Sequence, residues 1–196
     1  HLLFPNSKIC LTGALDNSVK RVINDFEAHL KSIDKHKNHT FEFIKEKNVN
    51  FDLLRSIILV DNSNFDRLGN IGKYINDHPE LPVICFDHHE ECINKQRFIY
   101  YKQENFGSCT TMIVRELMNR GINFDQYIAS IFAMGIFEDT GSLLNVNTQA
   151  EDFSALSYLM SMGMSISLVK KYIKPVFSAY QLEIMNELIK SKEMIE

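Results

Sequence analysis

Two short, uninterrupted apolar runs constrain this chain most: Ser56-Ile57-Ile58-Leu59-Val60 and Pro82-Val83-Ile84-Cys85-Phe86. A strand buried on both faces reads as a continuous apolar run, whereas a strand with one wet face alternates. Each run ends in polar, metal-competent residues, the first in Asp61-Asn62-Ser63 and the second in Asp87-His88-His89. In an open parallel sheet, ligands bind outside the carboxyl ends of the strands. The two runs are therefore expected to aim carboxylate and imidazole at one edge.

The segments around them fit an α/β chain. Asp66 to Asn76 predicts a short helix between the two runs, giving the strand, helix, strand order of a parallel crossover. Ser7 to Gly13 predicts a strand and turn, and Val19, Val22, Ile23, Phe26, Leu30 and Ile33 recur at helical spacing behind a cap at Asp16 or Ser18. Phe98 to Tyr101 is a further strand candidate, and Ser108 to Arg120 a helix stopped by Gly121. Helices over Phe124 to Phe137, Thr148 to Met162, Ser165 to Ile173 and Ser178 to Lys192 make a helical second half. Asp34 to Thr40 reads as a polar loop, and its His36 and His39 as surface residues more readily than as metal ligands.

At 196 residues, 45% hydrophobic and 23% charged, the chain suits one well-cored domain with a trailing element, expected as residues 1–175 and 176–196. A net charge of -4 and a pI near 6.0 give no global basic field for long nucleic acid. No run approaches the roughly 20 apolar residues of a membrane span, and the first residues lack a signal-peptide layout. The expectation is a cytoplasmic protein. Its four cysteines, Cys10, Cys85, Cys92 and Cys109, form no CxxC pair and read as dispersed thiols.

A third carboxylate, Asp139, lies in Gly135-Ile136-Phe137-Glu138-Asp139-Thr140-Gly141, where an apolar helical stretch meets an acidic turn. Asp61, His88 and Asp139 read together as ligands of a hard or borderline divalent ion, with Asp61 as candidate bridge and Thr140 supporting Asp139 from the same turn. Asp87 is expected to orient an imidazole, and His89 to face a substrate phosphate. Taken singly, a strand-terminal Asp is ordinarily a turn former and a lone His a satisfied polar residue. The adjacency of Asp87, His88 and His89, with Asp139 added, favours a shared site. Gly107, Ser108 and Thr110 open a helix where free amides attract phosphate, although Ser108 as an ordinary N-cap explains most of that pattern. Lys95 and Arg97 offer a phosphate clamp or simply a solvated face.

In this order, Val60-Asp61-Asn62, Asp87-His88-His89, Gly107-Ser108-Cys109-Thr110-Thr111 and the stretch from Gly135 to Leu143 resemble the DHH phosphoesterase superfamily over most of the chain. That superfamily includes family II inorganic pyrophosphatases, single-strand DNA exonucleases, nano-RNases and cyclic-dinucleotide phosphodiesterases, which use Mn2+ or Mg2+. The resemblance implies a mostly parallel sheet with flanking helices and a helical C-terminal part. It implies Asp61, His88 and Asp139 as ligands in a two-ion Mn2+ (or Mg2+) site, and His89 as a phosphate contact. Gly135 to Ser142, with Thr148 and Asp152, looks most like the DHH domain of multidomain tRNA nucleotidyltransferases or poly(A) polymerases. Attached nucleotidyltransferase domains, a short oligonucleotide or tRNA end as substrate, and a homodimer are the partners so implied.

One departure stands beside these matches. The family opens with an H-x-N-x-D-x-D motif that completes the metal pair, and no such motif occurs here. The chain is therefore expected to start after that motif, to stop before the family's smaller substrate-binding domain, and to be weakly active or inactive by itself. An inorganic pyrophosphatase and a non-catalytic RNA-binding or regulatory module are the alternatives.

Overall fold

Strands β3 (Ile57–Val60), β4 (Val83–Asp87) and β5 (Tyr100–Gln103) form a parallel sheet in that order. Ile57 pairs with Val83 and Val60 with Phe86, while Ile84 pairs with Tyr100 and Asp87 with Gln103. This computed structural model describes residues 1–33, 41–90, 92, 94–173 and 179–192. The loop expected at Asp34 to Thr40, with His36 and His39, lies outside the described residues.

Both faces of the sheet are covered, which explains why its strands are apolar at successive positions. Val83 and Cys85 of β4 join Leu59, Phe65, Leu68, Ile71 and Ile75 on one side, where α2 (Gly69–Asp77) lies. Ile84 and Phe86 meet Cys109 and Met112 of α3 (Cys109–Asn119) on the other. Full burial of side chains such as Ile75 and Met112 contributes about 1.5–3 kcal/mol each. Gly72 lets α2 approach the preceding turn, because a Cβ there would stand 1.9 Å from the Phe65 carbonyl oxygen.

The helical half forms its own core. Val114 and Leu117 of α3, Ala129, Ala133 and Ile136 of α4 (Gln126–Asp139), and Ala155, Leu156 and Leu159 of α5 (Ala150–Ser161) cluster with Val169 and Tyr172 of α6 (Ile166–Ile173). The last described helix, α7, is Ala179–Lys192. Near the start, α1 (Asn17–Ile33) separates β1 (Ile9–Leu11) from β2 (Phe43–Lys45), a second parallel pair with Ile9 opposite Phe43.

The α/β architecture with parallel sheets and flanking helices agrees with the sequence expectation. Strand β2 had no counterpart there: three residues inside Phe41-Glu42-Phe43-Ile44-Lys45-Glu46 are too short and too charged to stand out. Strand β5 begins two residues later than the Phe98 start expected. The helix expected from Asp66 opens as a 3-10 turn, Phe65–Leu68, before becoming α2 at Gly69.

Candidate metal centre

The parallel register puts the ends of β3 and β4 side by side. The Asp61 amide donates to the Phe86 carbonyl at 2.9 Å, extending the ladder one residue past β3. Asp61 then turns through φ 64, a left-handed conformation that Asp tolerates better than most residues. Its carboxylate is half exposed and lies 3.3 Å from His88 Nε2.

The imidazole of His88 is fixed from behind. Its Nδ1 bonds the Phe106 carbonyl at 3.0 Å, which assigns the proton to Nδ1 and leaves a lone pair on Nε2 facing Asp61. Two acceptors at 3.3 Å repel unless a positive charge lies between them. In the metal-free protein a second proton serves: the Asp61 hydrogen bond, opposed by burial and aided by the Phe106 carbonyl, raises His88 to about 9. A divalent ion with ligand bonds of about 2.1 Å at right angles holds neighbouring ligand atoms about 3 Å apart. The Asp61–His88 spacing fits such an ion, and the oxygen and imidazole donors suit Mn2+ or Mg2+ better than a thiolate metal.

His89 is anchored differently. Its Nδ1 lies 2.6 Å from Asp87 Oδ1, and its amide donates to the same oxygen at 3.2 Å. Asp87 is 1% exposed. Burial pushes its carboxyl up, but hydrogen bonds from His89 and Ser63 outweigh burial and hold it below the usual carboxylate range. Asp61, His88 and His89 each bring a ligand atom within 4.8 Å of the others, a single such cluster among the described residues. Asp87 thus orients His89, while His88 is oriented by a backbone carbonyl that no side-chain pattern announces.

Asp139 ends α4, outside that tight cluster but within its field. Burial raises its carboxyl, the Ser108 hydroxyl opposes that by hydrogen bonding, Asp61 adds to the rise and His88 counters it. Gly135 permits the approach, since a Cβ there would meet Thr110 Oγ1 at 2.6 Å as α4 crosses α3. The turn after Asp139 is held from within: the Thr140 hydroxyl donates to the Ile136 carbonyl at 2.6 Å and accepts from the Leu143 amide at 3.0 Å. Asn145 Nδ2 donates to the Asp139 carbonyl at 2.9 Å.

At the phosphate cradle expected at Gly107, Ser108 and Thr110, two of the amides are engaged within the protein. The Gly107 amide donates to Asp152 Oδ2 at 3.0 Å, and the Thr110 amide to Ser108 Oγ at 3.0 Å. Ser108 is fully buried as the N-cap of α3. These donors are spent inside the protein. Arg97 is no clamp either, because its guanidinium donates to the carbonyls of Ile75, His78 and Leu81 at 3.3, 2.8 and 2.9 Å. Lys95 lies over the Tyr101 ring at 5.7 Å. Burial pushes the Cys85 thiol up to about 12 and raises Cys109 as well, so both are neutral thiols in the metal-free protein. Asp152 is the buried carboxylate whose structural part the sequence reading missed. The signal available was Gln149 three residues earlier, since the two form a capping box.

The model for the DHH family, N-terminal domain, matches residues 6–136. An A-adding tRNA nucleotidyltransferase of Geobacter sulfurreducens is 27% identical over 189 residues, 96% of this chain and 20% of the relative. One from Aquifex aeolicus is 28% identical over 113 residues, 58% of this chain and 14% of the relative. The chain thus spans a fifth or less of the length of these relatives. Among solved structures, an exopolyphosphatase-related protein from Bacteroides fragilis superposes with TM-score 0.68 at 14% identity, covering 93% of this chain and 51% of the other. A Methanococcus jannaschii protein, provisionally assigned as a family II inorganic pyrophosphatase, gives 0.61 at 18% identity over 88% and 53%. At these identities the two structures show a shared fold.

Proposed function

The chain belongs to the DHH family, and on that premise we propose that it is a divalent-metal-dependent phosphoesterase domain acting on the phosphodiesters of short oligonucleotides. The observation that carries this reading is the Asp61–His88 pair, 3.3 Å apart at a strand edge, with His88 Nδ1 committed to Phe106 and Nε2 left for a cation. Asp61 and His88 hold Mn2+ or Mg2+, with Asp139 completing the ligand set for a second ion in the full site. A bound divalent ion supplies a polarised phosphoryl oxygen and an acidified water.

The residues of the chain supply the rest. His89, backed by the buried Asp87, presents its ring to a phosphate oxygen and fixes the ester beside the ion. Asp61 and Asp139 keep the site anionic, so that it retains a cation and admits phosphate only with one. The Thr140 turn and the Ser108 hydroxyl hold Asp139 in place. In the hydrolysis, a water oxygen bonds to phosphorus, the bridging P–O bond breaks, and the departing hydroxyl carries away a proton.

The curated relatives support a setting beside a tRNA nucleotidyltransferase domain, with a tRNA end or a short RNA as substrate. Helix α7, which exposes Tyr180, Ile184 and Ile189, serves as a linker toward the smaller substrate-binding domain of the family. The described residues gather one tight ligand cluster, so slow turnover is expected of this chain alone. The test is Mn2+-dependent hydrolysis of a short RNA oligonucleotide beside inorganic pyrophosphate. Mononucleotide release, lost in Asp61→Asn, supports the reading. Hydrolysis of pyrophosphate alone replaces it with a pyrophosphatase, and turnover of neither by folded protein replaces it with a binding or regulatory module.

A further inference from the structure

Asp152 is fully buried, and among the described residues no cation pairs with it. Taking a carboxylate out of water costs several kcal/mol, so a buried charge at this N3 position calls for more than closing the capping box of α5, which a neutral Gln there does at lower cost. Its acceptor bonds account for the difference. Oδ2 takes the Gln149 amide at 2.8 Å, closing the cap of α5, and also the Gly107 amide at 3.0 Å. Oδ1 takes the Thr111 hydroxyl at 2.5 Å, and Thr111 is itself fully buried in α3. The approach leaves no slack, since a Cβ on Gly107 would lie 2.6 Å from Asp152 Oδ2.

Gly107 stands between the two groups that aim the metal centre. The residue before it, Phe106, takes the Nδ1 proton of His88 on its carbonyl. The residue after it, Ser108, caps α3, whose Thr110 packs against Gly135 of α4, four residues before Asp139. One buried carboxylate therefore ties down a three-residue segment that sets an imidazole from β4 and a carboxylate from α4.

We propose that Asp152 is a positioning residue of the metal centre, setting the aim of His88 and Asp139 through Phe106 to Ser108, with Thr111 holding Asp152 in turn. This rests on the reading of Asp61 and His88 as metal ligands. The experiment titrates Mn2+ into the full chain by electron paramagnetic resonance of the free ion, with metal-free melting temperatures recorded alongside. Asp152→Asn and Thr111→Val are each expected to weaken Mn2+ binding about tenfold, the range for groups that support metal ligands, and Thr111→Ser to restore it. Should Asp152→Asn fail to fold, Thr111→Val decides, because it frees Asp152 Oδ1 and loosens the carboxylate's hold on Gly107 without removing the acceptor that closes the cap of α5. Folded variants that bind Mn2+ as tightly as wild type overturn the proposal. A wild-type chain that binds no Mn2+ overturns the metal-centre reading beneath it.

Discussion

Asp61 and His88 share a positive charge in the metal-free protein, and this makes a titration prediction. The pair raises His88 to about 9, against about 6.5 in an unfolded chain. A folded pKa above the unfolded one gives stability that is fully present below pH about 6.5 and lost as pH rises through about 9. Metal-free wild type should therefore lose stability across that window. Asp61→Asn should flatten the loss and return His88 toward its ordinary value in an NMR titration; a His88 titration that stays near 9 in the variant would contradict the pairing. Arg97 gives the opposite test at the same scale. It satisfies three backbone carbonyls near the end of α2, so Arg97→Ala should destabilise by about 2 kcal/mol in urea unfolding and leave Mn2+ affinity unchanged. A phosphate clamp would instead leave stability unchanged and weaken the binding of a phosphate ester.

Among the elements, α2 makes the sharpest prediction because its packing leaves no room at Gly72. Gly72→Ala forces a Cβ against the Phe65 carbonyl and should cost about 1–3 kcal/mol, read as a lowered urea midpoint; an unchanged midpoint would mean that α2 does not pack as described. The strands β3 and β4, α3 with its Ser108 cap, and the turn after Asp139 were legible in the sequence, since continuous apolar runs and cap residues are local signals. What stayed hidden depended on contacts between distant segments. Strand β2 is defined by its partner β1 and not by its own composition. The amides of Gly107 and Thr110 looked open until Asp152 and Ser108 filled them, and the carbonyl of Phe106 carries no residue code at all. The position of the candidate residues at strand and helix ends was thus readable, while what holds them emerged only from the fold.

On the scale of the molecule, two cores meet at one edge: a covered parallel sheet supplies Asp61, His88 and His89, and the helical half supplies Asp139. A metal bound across that seam should couple the halves. Saturating Mn2+ is expected to raise the melting temperature, by linkage of about 2.7 kcal/mol at a hundredfold excess over the dissociation constant. Among the described residues no helix is long and apolar enough to cross a membrane. Asp61 and His88 are proposed to hold a divalent metal at the ends of β3 and β4. Calorimetric titration of wild type and Asp61→Asn with Mn2+ tests this most directly. The account predicts a saturable site in wild type that is weakened about 100-fold or more in a variant with unchanged fold, on the scale set by ligand support. A wild-type chain that takes up no Mn2+, or an Asp61→Asn variant that binds it equally well, would contradict it.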